Sequence, residues 1–172
     1  GRGIAALRAA GIEAELGEGA EQVEADLAGF LMRMRRGYGR ITLKIAMSLD
    51  GRTAMPSGES QWITGEDARA DVQRLRAESD LMVTGVGTVL ADDCRLTLRA
   101  DELPLDADAK GRALAHPPAR MVLDSKGRTP AGARILEGGQ TTVITTENIA
   151  LSELAQKAVL GADATGRVDI SA

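Results

Sequence analysis

The sequence has 172 residues, 44% hydrophobic and 27% charged, an ordinary globular composition for one domain, or one domain and part of another. Lys and Arg number 21 against 25 Asp and Glu, a formal net charge of −4, so the chain as a whole lacks the charge of a nucleic-acid binder. One Cys (Cys94) and one His (His116) exclude a disulfide framework and a Cys/His zinc site built from this chain alone, and no apolar run reaches the length of a membrane span.

No charged–apolar–small leader opens the chain, and a reducing, cytoplasmic setting is expected. The start "GRGIAAL", without Met, is the start expected of a fragment. With 2% aromatic residues, the core must come from Ala, Val, Leu, Ile and Met, and an aromatic platform for stacking bases is not expected.

Along residues 1–36 the pattern reads helix, turn, short strand, helix. Ile4, Leu7 and Ala10 fall at helical spacing, Gly11 stops the helix, and Ile12 opens a short extended piece. Val23, Leu27, Phe30, Leu31 and Met34 form one stripe, read as a packing surface. The basic run "LMRMRRGYGR" reads as a solvated helix end and linker. Residues 41–47 alternate, with Ile41, Leu43 and Ile45 on one face and Thr42, Lys44 and Ala46 on the other, and predict a strand. Lys44 then either needs a partner or ligand, if both sheet faces are covered, or points to water from an edge strand.

A polar, glycine-bearing loop carries Ser48, Asp50, Ser60 and Gln61 and ends at Trp62, the single Trp of the chain. The stretch "TGEDARADVQRLRAES" then predicts a helix with Thr64 as N-cap and Asp67 completing a capping box. Ala68, Val72 and Leu75 form its buried stripe, with Arg69, Arg74 and Arg76 off it. "DLMVTG" predicts a buried strand, "VGTVLADD" a turn of helix, and "CRLTLR" an extended piece. "DELPLDADAKGRALAHPP" reads as a long surface loop. "ARMVLDS" and "TTVITTE" predict strands and "LSELAQKAVLGA" a helix. Strands separated by helices give an α/β class with a largely parallel sheet flanked by helices.

In such sheets ligands bind beyond the carboxyl ends of the strands. Three such ends carry polar, glycine-bearing stretches: residues 48–65, 85–93 and 124–127. "GVGTVLADD" could offer backbone N–H groups to a phosphate, or be a turn that needs glycine; without the third Gly it is no dinucleotide fingerprint. Asp92 and Asp93 could be a helix-end pair in water, or a carboxylate at a site mouth that handles a proton. The residues by themselves name no reaction.

A longer pattern does. The strand lysine, "SLDGRTA", "GESQWIT", the arginine-bearing helix, "GVGTVLADD" and "LTLR" follow one another over residues 43–99, and "MVLDS" comes after. This order resembles the reductase domain of the bacterial bifunctional riboflavin-biosynthesis family RibD, a pyrimidine deaminase/reductase. Residues 1–36, with "GRG", "AGI" and "GFLMRMR", resemble the end of that family's cytidine-deaminase-like domain, and residues 41–172 the N-terminal part of its reductase domain.

The resemblance implies a dihydrofolate-reductase-like fold, C-terminally incomplete in this chain, and a cytoplasmic homo-oligomer. Its activity would be NADPH-dependent reduction of 5-amino-6-(5-phosphoribosylamino)uracil, a phosphorylated aminopyrimidine, from ribosyl to ribityl. It implies that Ala46, Trp62, Thr88, Asp92 and Ser125 contact the cofactor and that Ser60, Arg76, Leu96 and Arg99 contact the substrate. Lys44 and Asp92 are placed nearest the reacting carbon, with Asp92 holding a proton. Arg99 is the first choice for the substrate's phosphate, since guanidinium suits planar, multi-donor recognition. Trp62 would offer the nicotinamide side a flat apolar surface with one donor.

There are departures. Cys94 stands where the family has Pro after Asp-Asp. The family's zinc-deaminase motif is absent, so zinc belongs to a part not present here. The later Glu-x-Gly segment is also absent, and "LEGGQ" resembles it only superficially. Two alternatives follow: a catalytically silent fragment that binds nucleotide or pairs with another subunit, and a dihydrofolate reductase relative whose arginines face a glutamate tail.

Overall fold

The computed structural model describes residues 1–60, 63–138, 140–148 and 155–170. The chain forms two compact units, Gly1–Ala46 and Met47–Ala172.

The first unit holds α1 (Arg2–Ala9), α2 (Ala20–Asp26) and α3 (Ala28–Arg36). α1 ends where the spacing predicts, with Gly11 taking the left-handed conformation (φ +76) that a side chain disfavours. Three expectations fail here. Ile12 opens no strand. The stripe from Val23 to Met34 is broken into two helices at Leu27 (φ −98, ψ 12), and Val23, Leu27, Phe30 and Met34 are exposed rather than packed. Residues 41–47 form no strand, and Ile41 is 91% and Leu43 82% exposed. Alternation makes a segment capable of pairing, but a strand exists only where a neighbour completes its hydrogen bonds, and none among the described residues does so. Lys44 is accordingly exposed.

The second unit runs α4 (Glu66–Ala77), β1 (Leu81–Gly85), α5 (Val86–Asp92), α6 (Ala107–Ala115), β2 (Ala119–Leu123), a short 3-10 turn (Arg134–Leu136), β3 (Thr141–Thr145) and β4 (Gln156–Val159). The strands lie in the order β1-β2-β3-β4, and every pairing is parallel. Since each step moves the same way across the sheet, right-handed crossovers place the connections on one face. That face carries Val122, Thr141, Val143 and Thr145, all fully buried. Val86 and Val89 of α5, with Ala133, Ile135 and Leu136, close over Val122 and Val143. On the opposite face Val83 is 52% exposed and Leu81 is exposed as well, so β1 is a strand but not the buried one its apolar run predicts, being paired on one side only among the described residues.

The structure corrects the sequence reading at four further places in this unit. The expected loop before β2 contains α6, started by Asp106, whose Oδ1 accepts from the Ala109 N–H at 2.8 Å. The expected helix around "LSELAQKAVLGA" is a strand over Gln156–Val159, where pairing with β3 overrides the local spacing; residues 151–154 lie outside the described ones. The N-cap of α4 is Gly65, not Thr64, whose carbonyl instead accepts from Arg69 Nη1 at 3.0 Å. Finally, Ala68 is exposed, and the most buried residue of α4 is Gln73.

Candidate active site

Parallel pairing puts Gly85, Leu123 and Thr145 at one end of the sheet, and the loops that follow them gather there. A cleft of about 640 Å³ opens between Gly85–Gly87, Leu123–Lys126, Arg128 and Thr165–Arg167. Two aspartate-capped turns build its rim. Fully buried Asp124 accepts from both the N–H and the hydroxyl of Thr129, each at 2.7 Å, and Gly127 turns at φ +62 between them. This turn presents Lys126 and Arg128. Asp163 Oδ1 accepts from Thr165 N–H (2.7 Å), Thr165 hydroxyl (2.7 Å) and Arg167 N–H (3.0 Å), which holds the Asp163 carboxyl below the usual carboxylate range, and that turn presents Arg167.

Ser125 joins the two turns. Its hydroxyl accepts from the Val168 N–H at 2.9 Å, and its carbonyl accepts from the Thr146 hydroxyl at 2.9 Å. A hydroxyl that accepts one bond still has its own proton to donate. No atom lies within 4 Å of where a Cβ would stand on Gly85 or Gly87, so a ligand could approach that backbone closely. Three cations, a hydroxyl donor and open glycine backbone suit a phosphorylated ligand.

A second cluster joins α4 to residues 94–102. Arg76 Nη1 donates to the Thr97 carbonyl at 3.0 Å, while its Nε is buried without a hydrogen-bond partner among the described residues. Burial, and then the charge of neighbouring Arg99, disfavours protonated Arg76. Arg99 Nη1 donates to Glu102 Oε1 at 2.6 Å. Two adjacent guanidiniums suit an anionic group. Leu96 takes a left-handed backbone (φ +54) and packs against the core, as does Cys94. Burial, and then the Asp92 charge, pushes the Cys94 thiol up from its ordinary value.

The structure therefore brings Arg76 of α4 together with the segment that carries Leu96 and Arg99, and sets Ser125 in the cleft wall. Thr88 and Asp92 lie one turn apart on the exposed side of α5, the helix that starts at the cleft. Ser60 is exposed in its loop. Lys44 and Ala46 belong to the first unit, Lys44 exposed and Ala46 half-buried. Trp62 lies outside the described residues. The sequence reading missed Gln73, Glu102, Lys126, Arg128 and Arg167. The Asp-Ser-Lys-Gly run was a turn signal that could have pointed to Lys126; Gln73 had no such signal. Among the described residues, no group of three His, Cys, Asp or Glu could hold a metal ion, and no helix is long and apolar enough to cross a membrane.

Comparison with known proteins gives one answer throughout. Residues 40–172 match the RibD C-terminal domain family. The riboflavin biosynthesis protein RibD of Haemophilus influenzae is 49% identical over 130 residues, 74% of this chain and 35% of that protein. The Escherichia coli protein of the same name is 46% identical over 153 residues, 86% of this chain and 41% of that protein. The chain thus spans well under half the length of these relatives. Among solved structures, Acinetobacter baumannii RibD superposes with a TM-score of 0.73 at 41% identity, covering 93% of this chain and 44% of that one. A Thermotoga maritima protein, described as a diaminohydroxyphosphoribosylaminopyrimidine deaminase/5-amino-6-(5-phosphoribosylamino)uracil reductase, superposes with a TM-score of 0.73 at 30% identity, over 92% of this chain and 42% of that one. The parallel sheet flanked by helices is the dihydrofolate-reductase-like arrangement of these reductase domains. On the extent of the family match and the identity to its relatives, this chain belongs to the RibD C-terminal domain family.

Proposed function

We propose that this chain carries the NADPH-dependent reduction of 5-amino-6-(5-phosphoribosylamino)uracil to its ribitylamino product, as the reductase part of a bifunctional riboflavin-biosynthesis protein. The observation that carries the reading is the arginine pair Arg76 and Arg99, with the cationic strand-end cleft as a second, separate feature. The Thermotoga relative's description names the same substrate.

In this reading Ser125, Lys126, Arg128 and Arg167 hold the cofactor's phosphates, and the backbone of Gly85–Gly87 lies against it. Trp62, Ala46 and Thr88 keep the cofactor contacts that the resemblance gives them. NADPH, when bound, supplies the hydride. Arg76 and Arg99 take the substrate's phosphate, with Leu96 and Ser60 alongside, and so fix the position of the reacting sugar carbon. As that carbon is reduced, its bond to the ring oxygen breaks and the oxygen takes a proton. Asp92 relays that proton, and Lys44 is assigned to the same task.

The test is NADPH oxidation by the purified protein, on this chain and on a polypeptide spanning the relatives' full length, with the deaminated pyrimidine as substrate. Substrate-dependent oxidation in both, with none on dihydrofolate, is expected. Cofactor binding without turnover in either would overturn the reading and leave a nucleotide-binding unit. Turnover of dihydrofolate would assign the arginines to a glutamate tail instead.

A further inference from the structure

We infer that Gln73 is a positioning residue for the substrate: it clamps residues 96–102 to α4 so that Arg76 and Arg99 face one phosphate. The inference rests on the reading above, in which those two arginines take the substrate's phosphate.

Gln73 is 2% exposed, in the middle of a helix whose other faces are polar or partly wet. An amide buried there costs free energy unless both its ends are bonded. Both are. Its Oε1 accepts from the Arg99 N–H at 3.1 Å, and its Nε2 donates to Glu102 Oε2 at 3.4 Å. The other Glu102 oxygen accepts from Arg99 Nη1. One side chain thus holds the backbone of Arg99 and also orients the carboxylate that aims the Arg99 guanidinium.

This matters because residues 94–99 form neither helix nor strand. Cys94 and Leu96 rest on the core and Arg120 Nη1 donates to the Arg95 carbonyl at 3.4 Å, while the Thr97 and Arg99 backbone is held from α4. Gln73 and Arg76, three residues apart on one helix face, grip the segment at Arg99 and at the Thr97 carbonyl. Glu102 also offsets the mutual repulsion of the two guanidiniums until an anion arrives.

Few side chains could replace Gln73. An aliphatic one leaves a backbone N–H and a carboxylate oxygen without their bonds. A carboxylate keeps the acceptor for Arg99 but faces Glu102 with a like charge. Gln73 touches neither cofactor nor reacting atoms in this scheme, so its removal should act on substrate binding and not on the chemical step.

The experiment measures binding of ribose 5-phosphate and of NADP+ by calorimetry, with KM and kcat beside them, in the wild type and three variants. Gln73→Leu should weaken ribose 5-phosphate binding about tenfold or more and raise substrate KM in step. NADP+ affinity should not change, and kcat should stay within about threefold. Gln73→Glu should weaken binding too, and pairing it with Glu102→Gln, which restores a donor–acceptor match, should recover most of the loss. Should Gln73→Leu fail to fold, Gln73→Glu carries the same test at constant volume. Ribose 5-phosphate binding in Gln73→Leu within about twofold of wild type overturns the inference, as does an equal loss of NADP+ binding. If the wild type itself does not bind ribose 5-phosphate, the assignment of the phosphate to Arg76 and Arg99 fails, and this inference with it.

Discussion

Asp92 and Asp93 are neighbours in sequence with different duties. Asp93 caps α5 in a left-handed conformation (φ +42), and its Oδ1 accepts from the Arg134 N–H at 2.9 Å, so it ties the helix end to the 3-10 turn. Asp92 is exposed on the same side of α5 as Thr88 and is near enough to Cys94 to affect its thiol. If Asp92 relays the proton, Asp92→Asn should lower kcat about a hundredfold with little change in NADP+ affinity. Asp93→Asn keeps the acceptor and tolerates a positive φ, so it should leave kcat near normal. Near-normal turnover in Asp92→Asn would remove it from the proton path. The sequence could not separate the two carboxylates, because what distinguishes them is a bond to a residue 41 positions away.

Whole elements show where periodicity suffices and where it does not. α5, β2 and β3 were legible because their apolar residues are the ones that pack; α1 and β1 were placed where expected, but no residue of either is buried, so β1 is not the buried strand its apolar run predicts. α6 was missed because "ADAKGRALA" has no apolar stripe; its start rests on the Asp106 cap alone. Gln156–Val159 fall in a stretch whose spacing predicts a helix, yet they pair with β3. The turn at Asp163 was equally invisible, since it depends on one carboxylate oxygen taking three bonds. Its folded carboxyl sits below the ordinary 3.8, so the unfolded chain binds the proton more readily. The turn's stabilisation is therefore present above that value and lost as pH falls through the lower folded one. Amide protection at Thr165 and Arg167 should drop in that acid range in the wild type. In Asp163→Asn it should already be reduced at neutral pH and change little on acidification. Equal acid sensitivity in both proteins would show that another group governs the turn.

At the scale of the molecule, the order and direction of the strands do most of the functional work. Four parallel strands stepping one way bury one face and collect the loops after β1, β2 and β3 at a single end. The α/β pattern was enough to expect ligands there. It was not enough to foresee that residues 163–168 return to meet Ser125, a contact 43 residues apart in sequence. The family was legible only through its motifs, because a reductase of the kind proposed takes its hydride from a cofactor and needs no distinctive nucleophile, and among the described residues there is no metal-binding cluster. The arginine pair and the turns explain how such a cofactor and substrate could be held, and Gln73 explains why the holding segment keeps its shape.

Cys94 gives that segment a chemical clock. The thiol packs against the core beside Arg76 and is harder to ionise than an ordinary cysteine, so little reactive thiolate is present at neutral pH. Iodoacetamide should modify folded protein well below the rate of glutathione, and denaturant should abolish the difference, as read by intact mass. Because Cys94 lies two residues before the segment that Gln73 clamps, Gln73→Leu should speed the reaction without denaturant. Alkylation thus times how often this segment lifts from α4, in a chain with a single sulfhydryl to report it.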